Sequence, residues 1–244
     1  MTLLEAKKSL NSVGYCDFDL KDFNEDFYNL FLNIKYKVED TKYLDEFRVV
    51  RFDIHDDKNN HHIQGRDVFS NFKEANDKKL EILNSFDIEY MAQLWLQSES
   101  KPHSNNDEYT NVYYRILEYF YNKNEKDVGC GLQWTCYSES CFLKDHNDGQ
   151  GEEYQNTCAI LIYLNDEWDE AWGGNLILRN TKNTNDKTVS YKVVPKFGKV
   201  AIIDLETFDT SHAVETVIGD HNRCTLLAFA TSKTPKIKLD KSNI

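Results

Sequence analysis

His146 and Asp148 stand two residues apart in the string KDHNDG, where an apolar run passes into a polar turn. Side chains two apart on an extended chain point the same way, so this imidazole and this carboxylate can share one cation. A second imidazole is available 66 residues on, at His212 in DTSHAVETV, at the mouth of a later strand. Two histidines and one carboxylate form the facial ligand set of non-haem Fe(II) oxygen chemistry and leave three coordination positions open. Alone, the His-x-Asp spacing is a weak signal, and the sequence carries its own control. His55 and Asp57 repeat it, with His61 and His62 close by. No cationic residue follows that cluster at a useful place, and a solvated loop accounts for it.

What sets the first group apart is Arg223, eleven residues after His212 at the start of the strand-like RCTLLAFA. An antiparallel strand returns beside its partner, so Arg223 is expected to project into the same barrel interior. A guanidinium buried there must be paired, and its fork suits a carboxylate. The far carboxylate of a dicarboxylic cosubstrate, whose other end chelates the metal, would meet that need. The competing reading is a surface arginine after a hairpin.

The elements that must position these residues fall in two halves. Leu20, Phe23, Phe27, Leu30, Phe31 and Ile34 recur at helical steps. Further helices are expected over 72–97, with a potential break near Ser85, and over 109–121; residues 98–108, with Pro102, form a loop. After Gly129 the pattern changes to short apolar runs at 131–143, 158–164, 175–178, 189–194, 199–204, 213–217 and 224–231, and six of the ten glycines punctuate them. Helices followed by a run of strands predict an α+β fold: an antiparallel barrel or sandwich with helices packed on one sheet.

Composition narrows the function. With 244 residues, 40% hydrophobic and 13% aromatic, the chain can bury a sizeable core. Its formal net charge of -12 repels phosphate backbones and anionic surfaces, which argues against nucleic-acid and membrane partners. No apolar run reaches membrane-spanning length, and Glu5, Lys7 and Lys8 are not followed by a secretory apolar segment. A soluble cytoplasmic protein is the expectation. Six cysteines without a CxxC spacing are expected to be free thiols, which leaves structural zinc without support.

Taken together, residues 132–232 resemble the prolyl-hydroxylase-like branch of the 2-oxoglutarate and Fe(II)-dependent dioxygenases, a double-stranded β-helix (jelly-roll) family. The segments that carry the resemblance occur in order: HND at 146–148, CAILIYLNDEWDEAWGGNLIL, VPKFGKVAIIDL, SHAVETV, then Arg223 and a hydrophobic strand. The resemblance implies that His146, Asp148 and His212 ligate Fe(II) and that Arg223 holds the distal carboxylate of 2-oxoglutarate. Tyr137, nine residues before His146, matches a tyrosine that hydrogen-bonds that carboxylate in relatives; a core tyrosine is the competing reading. Thr225, on the Arg223 face of its strand, is a weaker candidate for the same role. The glycines of Trp172-Gly173-Gly174 match a turn that lets the backbone pass close to the site.

The resemblance also implies one domain, with a mainly helical support region at 1–128 packed on the larger sheet, a catalytic core at 129–232 and a basic tail at 233–244. The expected activity is hydroxylation of an unactivated C–H using Fe(II), 2-oxoglutarate and O2, with ascorbate in support. The substrate is a peptide residue such as proline, or else a free amino acid or small biosynthetic intermediate; a non-catalytic ligand-binding barrel is a third option. SESCFLKD before His146 lacks the glycines common in relatives, so the entrance on that side is expected to differ in build. Retention of Asp148 argues against a halogenase. Finally, eight acids and no Lys or Arg lie between positions 145 and 170, an acidic rim that would suit a cationic substrate.

Overall fold

The computed structural model describes residues 1–38, 47–56, 61–98, 108–148, 156–180, 190–208 and 210–233. The chain opens with α1 (Leu3–Val13), β1 (Tyr15–Asp19), α2 (Leu20–Phe23) and α3 (Glu25–Val38). Thr2 starts α1 with a reciprocal cap: its hydroxyl accepts from the Glu5 N–H, and the Glu5 carboxylate accepts from the Thr2 N–H. Gly14, at φ 84°, ends it in the left-handed conformation that favours glycine. Then come β2 (Val49–Asp56), β3 (His61–Val68), α4 (Phe72–Ser85), β4 (Met91–Gln97) and α5 (Glu108–Tyr121).

The second half is all strand: β5 (Val128–Tyr137), β6 (Phe142–His146), β7 (Asn156–Tyr163), β8 (Leu176–Asn180), β9 (Tyr191–Val193), β10 (Lys199–Asp204), β11 (Thr210–Val214) and β12 (Arg223–Ser232). A 3-10 turn, Glu170–Trp172, precedes β8. From β5 onward the chain passes back and forth between two antiparallel layers, β1-β10-β7-β12-β5 and β6-β11-β8-β9, and β4 joins them by pairing with both β5 and β6. This is the expected double-stranded β-helix.

Helices cover the outer face of the larger layer, so its strands are buried on both sides. On β12, Cys224, Leu226, Ala228 and Ala230 alternate with Arg223, Thr225, Leu227 and Phe229, which line an internal cavity. The Tyr113 hydroxyl of α5 donates to the Leu226 carbonyl at 2.6 Å, and Phe120 stacks on Phe18 of β1 at 5.2 Å. Burial on both faces explains why β7, β10 and β12 read as continuous apolar runs. At the open edges, the Tyr191 hydroxyl of β9 donates to the Asp17 carboxylate of β1, which also pairs with Lys199 at 3.3 Å.

The N-terminal half departs from the helical expectation. Residues 72–97 are a helix only as far as Ser85; Met91–Gln97 is strand β4, because its apolar residues are covered by β2 and β5 rather than by a helical stripe. His55 lies in strand β2, not in a loop, with its backbone N–H on the Tyr90 carbonyl at 2.7 Å. Asp57, most of the 98–108 loop and the tail after Lys233 lie outside the described residues. No helix among the described residues is long and apolar enough to cross a membrane.

Candidate metal and cosubstrate site

The pairing of β6 with β11 sets His146 directly opposite His212. Their ring centroids are 4.2 Å apart, and Asp148, just past the end of β6, lies 3.5 Å from Nε2 of each. Those contacts are too long to be good hydrogen bonds, so the carboxylate and both ring nitrogens keep lone pairs for a shared cation. The three ligand atoms fall within 4.8 Å of one another, and among the described residues no other group of His, Cys, Asp or Glu converges in this way.

Protonation suits the same role. His146 Nδ1 lies 3.0 Å from the Lys144 carbonyl; a carbonyl only accepts, so Nδ1 carries the proton and Nε2 is left as the ligand atom. Burial drives the pKa of His212 down to about 4, against the pull of Asp148, so this imidazole is neutral. Burial acts downward on His146 too, but the Asp148 carboxylate beside it, with the Lys144 carbonyl, outweighs it and the pKa is raised. For Asp148 the burial effect is reversed by the two histidines, and its pKa is lowered. A neutral imidazole, a readily neutralised one and an ionised carboxylate are the donor set that Fe(II) requires.

Arg223 is 1% exposed. Its Nη2 donates to the Tyr163 hydroxyl at 3.3 Å, its Nε is buried with no partner, and the rings of Tyr137 and Tyr163 flank it with Cζ 4.9 and 5.0 Å from their centroids. Among the described residues no carboxylate pairs with it, and rings and one hydroxyl do not neutralise a buried guanidinium. Gly174 makes room for it: at φ 63°, a Cβ there would meet Arg223 Cδ at 3.2 Å and Trp168 at 3.1 Å. The expectation that the Trp172-Gly173-Gly174 turn runs close to the site is thus met at Gly174.

One cavity of about 410 Å³ holds these residues together: His146, Asp148, His212, Arg223, Tyr137 and Thr225 all line it. Tyr137 is the in-register partner of Arg223, and Thr225 is hydrogen-bonded to Thr135 across the same strand pair. Leu161, Leu176, Ile203, Val214, Leu227 and Phe229 supply apolar walls.

A polar wall went unread in the sequence: Arg51, Asp53, Gln64, Gln93, Trp95 and Gln133. The usable signal was alternation, since Arg51 and Asp53, Gln93 and Trp95, and Gln133, Thr135 and Tyr137 each fall two apart on a strand. Reading 72–97 as helix hid Gln93 and Trp95, and β2 and β3 were not read as strands.

The acidic window is broken up. Asp145 pairs with Arg179 at 2.6 Å and accepts from Ser211, Glu170 pairs with Lys192 at 2.9 Å, and Asp169 caps the 3-10 turn. Glu152 and Glu153 lie outside the described residues. All six cysteines are free and buried, as expected.

Residues 132–229 match the family model described as the 2OG-Fe(II) oxygenase superfamily. No curated protein matches the sequence of the chain. Among solved structures, a Pseudomonas putida prolyl-4-hydroxylase is similar over 96% of this chain and 100% of its own, at 11% identity and a TM-score of 0.57. The non-heme alpha-ketoglutarate-dependent epimerase SnoN from nogalamycin biosynthesis is similar over 96% of this chain and 83% of its own, at 11% identity and a TM-score of 0.57. EvdO2 from Micromonospora carbonacea var. aurantiaca, complexed with 2-oxoglutarate, is similar over 97% and 93%, at 11% identity and a TM-score of 0.54. At such identities the likeness is one of fold; the sequence match over the barrel and the convergent His-Asp-His group go further. The sequence of residues 132–229 thus matches the 2OG-Fe(II) oxygenase superfamily model, and the convergent His146, Asp148 and His212 lie within that stretch.

Proposed function

We propose that the chain hydroxylates an unactivated C–H of a peptide residue, with proline the first candidate, using Fe(II) on His146, Asp148 and His212 and 2-oxoglutarate on Arg223. The observation that carries this reading is a buried guanidinium that pairs with no carboxylate among the described residues, in the cavity that also holds the convergent triad. A keto-acid with a second carboxylate fits both needs at once. When bound, iron supplies the oxidising chemistry: 2-oxoglutarate and O2 become succinate and CO2, and one oxygen atom enters the substrate C–H.

The residues do the rest. The Lys144 carbonyl holds His146 in the ligating tautomer, and Asp148 supplies the one negative charge of the triad. Tyr137 and Tyr163 clamp the Arg223 guanidinium between their rings, which fixes where its fork points. The Thr225 hydroxyl is a further donor for the same carboxylate, and the apolar walls keep water from the reacting atoms. Residues 129–232 would be the catalytic core, with 1–128 supporting it and adding the β2–β4 wall of the cavity. Six buried free thiols favour a reducing, cytoplasmic setting. The fold shared with a prolyl-4-hydroxylase supports starting the substrate search with proline peptides.

The test is succinate release from 2-oxoglutarate with Fe(II), O2 and ascorbate, together with a screen of proline peptides and free amino acids for a gain of about 16 Da, one oxygen atom. Succinate with an oxygenated peptide is the expected result. Bound iron without any succinate would overturn the reading, and oxygenation confined to free amino acids would replace the peptide with a metabolite.

A further inference from the structure

The cavity contains a second arginine with no part in the roles above. Arg51 on β2 is the in-register partner of Arg66 on β3 and of Trp95 on β4. Its Nε donates to Gln97 Oε1 at 2.8 Å, which fixes the plane of the guanidinium. Among the described residues nothing else bonds it, and no carboxylate pairs with it. Partial burial and the neighbouring Arg66 both bear against its charge. Both Nη groups are left for a carboxylate fork.

Trp95 stacks on Tyr137 at 6.0 Å, and Tyr137 faces Arg223 in register. Arg51, Trp95, Tyr137 and Arg223 therefore form a row across β2, β4, β5 and β12. At about 4.8 Å between neighbouring strands, the two arginines are roughly 14 Å apart at the backbone. 2-Oxoglutarate has two carboxylates, one for the metal and one for Arg223, so it has none left for Arg51.

We infer, on the hydroxylase reading of this site, that Arg51 binds a carboxylate of the molecule to be oxidised. The substrate is then an acid: a small carboxylic acid, or a peptide with an acidic group near the reacting residue. Gln64, Gln93 and Gln133 on the same wall offer amides to the polar groups around that carboxylate. The charge is the reverse of the one expected from the acidic window of the sequence.

Titration calorimetry on the full chain loaded with Mn(II) and 2-oxoglutarate tests this with paired probes. One set is L-proline and L-leucine against prolinamide and leucinamide. The other is an acetylated, amidated proline peptide with a flanking glutamate against the same peptide with glutamine. At least one acid should bind roughly tenfold more tightly than its amide, and the set that shows the preference separates a small acid from a peptide. The ratio should fall to near one in Arg51→Gln and recover in part in Arg51→Lys; taken within one variant, it is insensitive to incomplete folding or loading. Acids that bind no better than their amides, or a preference that survives in Arg51→Gln, would overturn the assignment. Binding of 2-oxoglutarate is scored in its own titration, so failure of the cosubstrate site and failure of the Arg51 site are told apart.

Discussion

Arg223 and Tyr137 face each other in register across β12 and β5, with the guanidinium carbon 4.9 Å from the centre of the tyrosine ring. Tyr163 takes the other contact, and among the described residues no acid joins them. The arrangement holds a charge ready for an anion that none of the described residues provides, at a cost to the stability of the empty protein.

That cost makes Arg223→Met informative, because its two effects should have opposite signs. Removing an unpaired buried charge should leave the melting temperature of the empty protein unchanged or higher. The same change should raise the KM for 2-oxoglutarate by roughly a hundredfold or more, on the order of 3 kcal/mol, and abolish stabilisation by 2-oxoglutarate. Thermal melts with and without 2-oxoglutarate check both. A variant that keeps the full ligand-induced shift would remove Arg223 from the cosubstrate site.

Metal affinity should follow one proton. His212 is already neutral above about pH 4 and Asp148 is ionised, so His146, with its raised pKa, holds the proton that a cation must displace. Affinity for Mn(II) should be flat above that pKa and weaken by about tenfold per pH unit below it, down to pH ~4.5. Below that, His212 takes up a proton too and the fall steepens. Titrations between pH 5 and 8 measure the slope, and a slope of two across this range would contradict the neutral state of His212. Alanine at His146, Asp148 or His212, or treatment with a chelator, should abolish both metal-induced stabilisation and turnover.

Most of the barrel was legible because burial on both faces turns β7, β10 and β12 into apolar runs that only strands of this length explain. The triad was legible for a related reason: His146 and Asp148 flank the end of β6, and strand alternation fixes which way such residues point. Met91–Gln97 was not, since Met91, Leu94 and Leu96 are spaced compatibly with either a helix or a strand until β2 and β5 pair with them. Arg51 was missed for a further reason, since β2, the partner of that strand, was itself not read as a strand. The Thr2-x-x-Glu5 cap of α1 is a local signal that went unread in the sequence.

Gly174→Ala should damage the cosubstrate site more than the fold. The residue sits at φ 63°, where a Cβ is strained, and that Cβ would press on Arg223 Cδ at 3.2 Å and Val217 at 3.1 Å. A loss of about 1–2 kcal/mol in stability is expected. The guanidinium should also tilt, raising the KM for 2-oxoglutarate while leaving metal affinity within about twofold, a bound of ~0.4 kcal/mol. Equal losses in both would mean that the loop as a whole, rather than Arg223, had moved.

Lys79 offers a test of how the β5–β6 turn is held. It is 2% exposed on α4, and its ammonium donates to the Ser138 hydroxyl at 2.9 Å and the Glu139 carbonyl at 2.8 Å. That turn lies between Tyr137 and the strand leading to His146, and Ser140 within it adopts a φ of 66°. Lys79→Ala leaves a cavity and two acceptors without a donor, so it should destabilise by about 2–4 kcal/mol. Lys79→Met keeps the volume of the stem and removes the buried charge, so less than half of that loss is expected. Denaturant melts of both variants give the comparison. If Met cost as much as Ala, the hydrogen bonds to the turn would be what matters, and the filled space would count for little.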